Sequence, residues 1–116
     1  MATPRHSVSV AAAVVDDHGR LLAIRRRDNG HWEPPGGVLE LEETIEDGLL
    51  REVHEETGLT VRPERLTGVY KNMERGIVAL VFRCSVLAGA RTSTSEAIEV
   101  AWLTEDEVKA IRDKST

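Results

Sequence analysis

Apolar and polar positions alternate over the first part of the chain, with the period of two that is typical of β-strands. Residues 7–15 form the first alternating segment, and residues 21–26 form the second. The apolar positions of the first segment are Val8, Val10, Ala12 and Val14. Residues 16–19 between them have turn chemistry and end in Gly19. This pattern predicts an N-terminal β-hairpin.

A connector rich in proline and glycine interrupts the alternation at residues 32–37, which read Trp-Glu-Pro-Pro-Gly-Gly. Two consecutive prolines are incompatible with a helix interior or a central strand. The two glycines allow the backbone to come close to another group. We therefore expect a rigid loop at this point, close to a neighbouring element.

The period changes to that of a helix after Thr44, whose hydroxyl makes it the predicted N-cap. Gly58 is the predicted stop of this helix. Its apolar stripe consists of Ile45, Leu49 and Val53, with Leu50 at the side. Gly48 inside the helix costs about 1 kcal/mol relative to alanine. We therefore expect another group to pack closely against Gly48.

The second half of the chain predicts further strands and a final helix. Residues 59–61 and 67–71 are predicted to form short strands. Residues 77–86 are apolar on both faces, which predicts a central strand. Residues 99–103 are the last predicted strand, and Thr104 begins a helix. This order predicts an α/β domain with helices packed on a sheet. The last helix still runs at the end of the sequence, which favours a natural chain that extends beyond it.

The length of 116 residues fits a single domain, residues 1–116, with a core of its own. No apolar run reaches the length of a membrane span, so no membrane partner is expected. The N-terminus lacks the order of a secretory signal. The single cysteine, Cys84, excludes an internal disulfide and is typical of the reducing cytoplasm, where we expect the protein to act.

The negative charge of the protein is concentrated in one stretch of the sequence. The net charge is −5, but residues 40–56 carry −7 and the other 99 residues carry +2. An acidic balance of this kind argues against stable nucleic-acid binding, which needs basic patches. Two interpretations remain: a solvated acidic helix or a site for divalent metal.

Three glutamates of this stretch, Glu52, Glu55 and Glu56, are spaced i, i+3 and i+4, which places them on one face of the predicted helix. Like charges at this spacing repel each other. Hard cations such as Mg²⁺, or Mn²⁺ in its place, prefer carboxylate oxygens and remove that repulsion. The glutamates alone are also compatible with an ordinary solvated face.

The spacing of these glutamates and of the residues around them resembles the Nudix box, G-x5-E-x7-R-E-U-x-E-E-x-G-U, where U is aliphatic. The chain matches the pattern at every specified position. The matching residues are Gly37, Glu43, Arg51, Glu52, Val53, Glu55, Glu56, Gly58 and Leu59. The Trp-Glu-Pro-Pro-Gly-Gly connector is also similar to the segment that precedes the box in this family. One departure is Glu42, which stands where many members have glycine.

The resemblance implies a Nudix α/β/α sandwich with a mixed central sheet, and hydrolysis of a nucleoside diphosphate linked to another moiety. The metal ligands that it implies are Gly37 through its carbonyl, Glu40, Glu52, Glu55 and Glu56. Glu52 is also a candidate base for the attacking water, and Glu43 and Arg51 are the implied orienting pair. Glu96 or Glu99 is a further candidate for a base or ligand.

The substrate-binding residues are predicted from residue chemistry. Arg25 and Arg27 share a face of the predicted strand, where guanidinium groups can bind phosphates. Trp32 is a candidate for stacking on a nucleobase. Solvated strand-end arginines and a tryptophan in the core are the alternatives.

The small size favours a MutT-like member of the family that converts a (deoxy)nucleoside triphosphate to monophosphate and pyrophosphate. An ADP-ribose or nucleotide-sugar pyrophosphatase and a non-catalytic nucleotide-binding sensor domain are the alternatives. In each case the expected partner is a small-molecule nucleotide. A monomer and a homodimer are both compatible with the sequence.

Overall fold

The computed structural model describes residues 2–90 and 97–114, with side chains to residue 112, and over these ranges the chain forms seven strands and two helices. The elements are β1 (Ser7–Val14), β2 (Leu21–Arg26), β3 (Trp32–Glu33), β4 (Gly36–Val38), α1 (Ile45–Thr57), β5 (Thr60–Asn72), β6 (Ile77–Ala88), β7 (Ala97–Leu103) and α2 (Glu105–Lys114). None of the helices in the described part is long and apolar enough to cross a membrane.

The strands form two sheets, one of four strands in the order β4-β1-β6-β5 and one of three in the order β3-β2-β7. In the larger sheet β1 and β6 run parallel, while its other neighbours run antiparallel, so this sheet is mixed. The three-stranded sheet is antiparallel throughout. The predicted α/β class with a mixed sheet is confirmed.

The predicted N-terminal hairpin is wrong. Both strands exist at the predicted positions, but β1 and β2 belong to different sheets. An isolated antiparallel bridge between Val15, just after β1, and Leu21, at the start of β2, connects the two segments. The reason is that β4 and β6 occupy the two edges of β1, so β2 finds its partners in β3 and β7.

Helix α1 begins and ends where the sequence predicts. The Thr44 hydroxyl accepts a hydrogen bond from the Asp47 N–H at 3.1 Å. Gly58 has the left-handed φ of 79° that ends a helix without strain. Leu49 and Val53 of the predicted apolar stripe are fully buried, but Ile45 is 44% exposed, so its assignment to the buried face is wrong. The stripe contacts the core only after the first helical turn.

The hydrophobic core lies between α1 and the two sheets. Leu22 of β2 belongs to the same buried cluster as residues of β1 and α1. The members of the cluster are Val10, Ala12, Val14, Leu22, Leu49, Val53, Leu59, Val61 and Cys84. The three-stranded sheet and the four-stranded sheet therefore share one core.

Two predicted strands, residues 59–61 and 67–71, are parts of one long strand, β5. Register shifts interrupt its pairing with β6 near Thr60, Pro63 and Leu66, which explains why the sequence pattern breaks there. β6 lies between β1 and β5, so its prediction as a central strand is confirmed. β5 is the edge of the sheet, where a proline is tolerated.

Candidate active site

An open cavity of about 530 Å³ lies where α1, the edge strand β4 and the end of β2 meet. The residues that line it are Arg26, Arg27, Asp28, Gly36, Gly37, Glu52 and Glu56. Two glutamates of α1 contribute acidic groups, the last residue of β2 contributes Arg26, and the residue after it contributes Arg27. The cavity therefore contains groups suited to cations and groups suited to anions.

The carboxylate of Glu56 is held against the backbone of β4. Glu56 is only 4% exposed, and its Oε1 accepts a hydrogen bond from the N–H of Gly36 at 2.7 Å. A buried carboxylate needs such partners because its charge loses the stabilisation that water provides. This contact fixes the last turn of α1 relative to the edge strand.

Glu52 lies against the next residue of the same strand. A Cβ atom built on Gly37 would lie 2.5 Å from the carboxylate oxygen Oε2 of Glu52 and 2.7 Å from Oε1. Any side chain at residue 37 would therefore displace this carboxylate. The two glycines of the connector allow α1 to approach β4, as the sequence predicts.

Glu43 and Arg51, the implied orienting pair, are in direct contact. Arg51 donates from Nε to Oε2 of Glu43 at 2.9 Å and from Nη2 to Oε1 at 2.7 Å. Its Nη1 donates to Glu52 at 2.9 Å and to Glu55 at 3.2 Å. The hydrogen bonds from Arg51 and from the N–H of Glu40 lower the pKa of the Glu43 carboxyl to about 2. Arg51 thus connects three glutamates around the helix.

The glycine inside α1 makes room for this arrangement. A Cβ on Gly48 would collide with the Leu39 side chain and lie 2.8 Å from Oε1 of Glu43. The expectation of a closely packed neighbour at this position is confirmed. Gly48 therefore lets the loop before α1 lie directly on the helix.

The opposite part of the cavity wall is built around Arg26, which the sequence analysis did not select. Arg26 donates to Asp28 from Nε at 2.9 Å and from Nη2 at 2.7 Å, and to Glu33 from Nη1 at 3.0 Å. These hydrogen bonds raise the pKa of Arg26, and they hold the pKa of Asp28 at about 2. Arg27 also lines the cavity and donates to the carbonyl of Ala97 at 3.3 Å.

Strict alternation along β2 predicts that Arg25 and Arg27 point to the same side. The strand ends at Arg26, and its pairing with β7 shifts register between Arg25 and Arg26. Arg26 and Arg27 therefore line the cavity together, whereas Arg25 is not among the residues that line it. The sequence does contain a sign that the alternation stops before Arg27. The residues Asp-Asn-Gly directly after the arginines are typical of a turn, which ends the strand.

Several predicted site residues lie away from the cavity wall. Arg25 donates to the carbonyl of Gly30 at 3.1 Å and lies 4.0 Å from Glu99, its neighbour on β7. Trp32 lines a second, mainly apolar cavity of about 240 Å³ between β2 and α2. Glu40 lies in the exposed loop before α1, where its N–H donates to Glu43. Glu96 lies outside the described residues.

The oxygen donors at the cavity fit a hard divalent cation by their chemistry. Within residues 2–90 and 97–114, no group of three or more His, Cys, Asp or Glu side chains is close enough to hold a metal ion. Glu55, which is 50% exposed, contacts Arg51, while Glu52 and Glu56 face the cavity. Two carboxylates and the backbone at Gly37 form an oxygen-only set of the type that Mg²⁺ and Mn²⁺ prefer.

A comparison with known proteins decides the family, because a family model described as the NUDIX domain matches residues 5–116. The chain belongs to the Nudix family. A "MutT-like protein" of Streptomyces ambofaciens is 65% identical over 105 residues, which cover 90% of this chain and 68% of that protein. An "ADP-ribose pyrophosphatase" of Methanocaldococcus jannaschii is 31% identical over 101 residues, 81% of this chain and 60% of that protein. The chain thus spans roughly two thirds of these relatives.

Solved structures of Nudix proteins have the same fold. A NUDIX hydrolase from Nitrosomonas europaea superposes with a TM-score of 0.82 at 30% identity, covering 94% of this chain and 79% of that one. A MutT protein from Methanosarcina mazei superposes with a TM-score of 0.75 at 26% identity, covering 98% and 95%. This chain is accordingly a Nudix hydrolase, from a family that acts on small nucleotides and generally uses divalent metals.

Proposed function

We propose that this Nudix hydrolase cleaves a nucleoside diphosphate linked to another moiety, with a (deoxy)nucleoside triphosphate as its main substrate and monophosphate and pyrophosphate as products. The observation that carries the proposal is the composition of the cavity, in which Glu52 and Glu56 lie on one wall and Arg26 and Arg27 on another. A polyphosphate bound with a divalent metal needs both kinds of group. The metal is coordinated by carboxylate oxygens, and the phosphates accept hydrogen bonds from guanidinium groups.

The acidic wall would hold the metal, which we assign as Mg²⁺ with Mn²⁺ as a substitute. Glu52, Glu56 and the Gly37 carbonyl are the proposed ligands at the cavity, and Glu55 and Glu40 are proposed further ligands. When bound, the metal neutralises phosphate charge and favours attack at phosphorus. The Arg51–Glu43 pair positions Glu52, because Arg51 donates to both carboxylates.

Glu52 is the proposed general base for the attacking water, with Glu99 as the alternative. Glu52 lines the cavity, so its carboxylate can reach a water molecule beside a bound phosphate. Glu99 is half exposed next to Arg25, so a role as base requires a substrate that extends to β7. The arginines contribute by binding phosphate oxygens, in the bidentate geometry that guanidinium groups prefer.

An ADP-ribose or nucleotide-sugar pyrophosphatase is the second candidate. It is favoured by the likeness to the ADP-ribose pyrophosphatase of Methanocaldococcus jannaschii. The cavity is compatible with either substrate, because both contain a diphosphate. The identity of the second product therefore separates the two candidates.

A substrate screen tests the proposal. Purified protein with Mg²⁺ is given deoxy- and ribonucleoside triphosphates, oxidised nucleotides, ADP-ribose and nucleotide sugars, and the products are separated by anion exchange. We expect the highest kcat/KM with a nucleoside triphosphate and release of pyrophosphate. Faster release of AMP from ADP-ribose would establish the second candidate instead.

The same screen is repeated with two variants of α1. Glu52→Gln should lower kcat by about a hundredfold or more, because it removes both a proposed ligand and the proposed base. Glu46→Gln, an exposed change in the first turn of the same helix, serves as the matched control and should keep full activity. Equal activity in the two variants would contradict the assignment of Glu52.

A further inference from the structure

Arg26 makes its closest contacts with carboxylates of the protein itself. Asp28 accepts from Nε and Nη2 of Arg26, which is the edge of the guanidinium that binds carboxylate or phosphate in a bidentate manner. Glu33 accepts from Nη1. These hydrogen bonds use three of the five N–H groups of Arg26. A phosphate that approaches this arginine therefore meets Asp28 at the preferred position.

The two carboxylates are held to different degrees. Glu33 lies in β3, where it pairs with Ile24 of β2, and its side chain is 37% exposed. Asp28 lies in the turn after β2, and its side chain is 62% exposed. Asp28 also lines the cavity. Because Asp28 is the more exposed of the two carboxylates and lies in a turn, it is the one that can more readily leave Arg26 through a change of rotamer.

We propose that Asp28 occupies the phosphate-binding edge of Arg26 in the free protein and is displaced when a polyphosphate binds, so that Asp28 sets the affinity for the substrate. This inference rests on the proposed function, since it takes the ligand of Arg26 to be a phosphate group. Glu33 keeps Arg26 in place during the exchange. Asp28 thus acts as an internal competitor of the substrate.

The charge of the cavity gives this exchange a consequence for selectivity. The lining residues include three acids, Asp28, Glu52 and Glu56, against two arginines. A weak anion such as a carboxylate or chloride gains little by replacing Asp28, because it offers no better acceptor. A phosphate group carries more charge and more acceptor oxygens, so it competes successfully. Asp28 therefore favours polyphosphates over other anions.

The test compares Asp28→Asn with wild type by calorimetric titration of inorganic pyrophosphate in the presence of Mg²⁺, and by the KM of the substrate found in the screen. The amide removes the competing charge, so we expect the Kd and the KM to fall by about threefold to tenfold, with kcat nearly unchanged. Asp17→Asn, an exposed change of the same charge outside the cavity, is the matched control and should leave both constants unchanged.

A second variant separates competition at the guanidinium edge from a general effect of charge. Arg26→Lys keeps the positive charge but cannot bind a carboxylate or phosphate in the bidentate geometry. In this background Asp28→Asn should change the Kd of pyrophosphate by less than about twofold, as a double-mutant cycle would measure. An effect of full size in the Arg26→Lys background would show a through-space effect of charge and overturn the inference.

The outcomes also separate this inference from the proposed function. Weaker pyrophosphate binding by Asp28→Asn would identify Asp28 as a residue that positions Arg26, and unchanged binding would exclude competition; either result overturns the inference while turnover by wild type remains. If wild type cleaves no phosphoric anhydride, the proposed function fails. Tighter pyrophosphate binding by the variant would then still support the exchange at Arg26.

Discussion

At the scale of single residues, Glu43 and Arg51 form a bidentate ion pair between the loop before α1 and the helix. Two short hydrogen bonds join the side chains, and Glu43 is only 13% exposed. Because the pair lies between the loop before α1 and the helix itself, it links two segments that both contribute to the site. Its effect on stability should therefore depend on the ionisation of Glu43.

We expect this pair to lose its stabilising effect in acid. Glu43 has a folded-state pKa of about 2, below its ordinary value of 4.5, so the stabilisation is fully present above pH 4.5 and is lost as the pH falls toward 2. Urea unfolding of metal-free Glu43→Gln and wild type at several pH values measures the difference. The variant should be less stable at pH 7, and the difference should shrink between pH 4.5 and 2.

Glu42→Gln is the control for this series, because Glu42 is the exposed neighbour of Glu43 in the same loop. Its stability should follow that of wild type at each pH. A constant difference between Glu43→Gln and wild type over the whole pH range would contradict the role of ionisation.

Spacing along one helix was enough to predict that several glutamates of the acidic stretch lie together, although Glu40 and Glu55 are not among the residues that line the cavity. Glu52 and Glu56 line the cavity and Glu43 binds Arg51, because one helix and the loop before it hold all of these residues. Arg26 was missed because its direction depends on where β2 ends and how it pairs with β7. That pairing joins residues about seventy positions apart, which no local pattern reports.

At the scale of elements, β4 comes so close to β1 that Gly36 leaves no room for a side chain. A Cβ on Gly36 would collide with the carbonyl oxygen of Val10 and lie 2.8 Å from the Cα of Ala11. Both neighbours are backbone atoms of β1 and cannot move without disturbing the sheet. Since Gly36 also donates to Glu56, the same contact positions the acidic wall.

Gly36→Ala should destabilise the protein by about 1–3 kcal/mol, because the methyl group overpacks two strands. Urea unfolding measures the change. Gly48→Ala is the matched comparison: its closest neighbours are the ends of the flexible Leu39 and Glu43 side chains, and alanine gains about 1 kcal/mol of helix propensity. We expect a clearly smaller loss for Gly48→Ala, and equal losses would contradict the distinction between backbone and side-chain neighbours.

Local signals predicted the elements well but not their partners. The ends of α1 follow from Thr44 and Gly58, whose effects act within one turn. The hairpin of β1 and β2 was wrong because alternation identifies a strand without identifying its neighbours. The same limit divided β5 into two short strands, since its register shifts depend on β6.

At the scale of the whole molecule, the charge of the protein is concentrated beside one cavity. Residues 40–56 carry −7 in a chain with a net charge of −5. Glu52 and Glu56 of this stretch face the cavity, while Arg51 binds the carboxylates beside them. Bound metal should therefore stabilise the whole fold, since it relieves repulsion among carboxylates that hold α1 on β4.

Mg²⁺ at about one hundred times its Kd should raise the free energy of unfolding by about 2.7 kcal/mol and the Tm by at least about 5 °C. Differential scanning calorimetry with Mg²⁺ and with EDTA measures this shift. Glu56→Gln should lose most of it, while Glu105→Gln, an exposed change on α2, should keep it. A Tm that does not respond to Mg²⁺ would contradict the proposed ligand set.

The division of the strands into two sheets also has an evolutionary consequence. The acidic wall is attached to the four-stranded sheet through α1 and β4, whereas Arg26 ends a strand of the three-stranded sheet and Arg27 follows it. The shared core around Leu22 lies between the two sheets and therefore sets the distance between the two walls of the cavity. A substitution in that core is therefore expected to change the width of the cavity while every group on its walls is retained. Selection that acts on buried residues can thus change which substrates bind while the residues of the Nudix box stay the same.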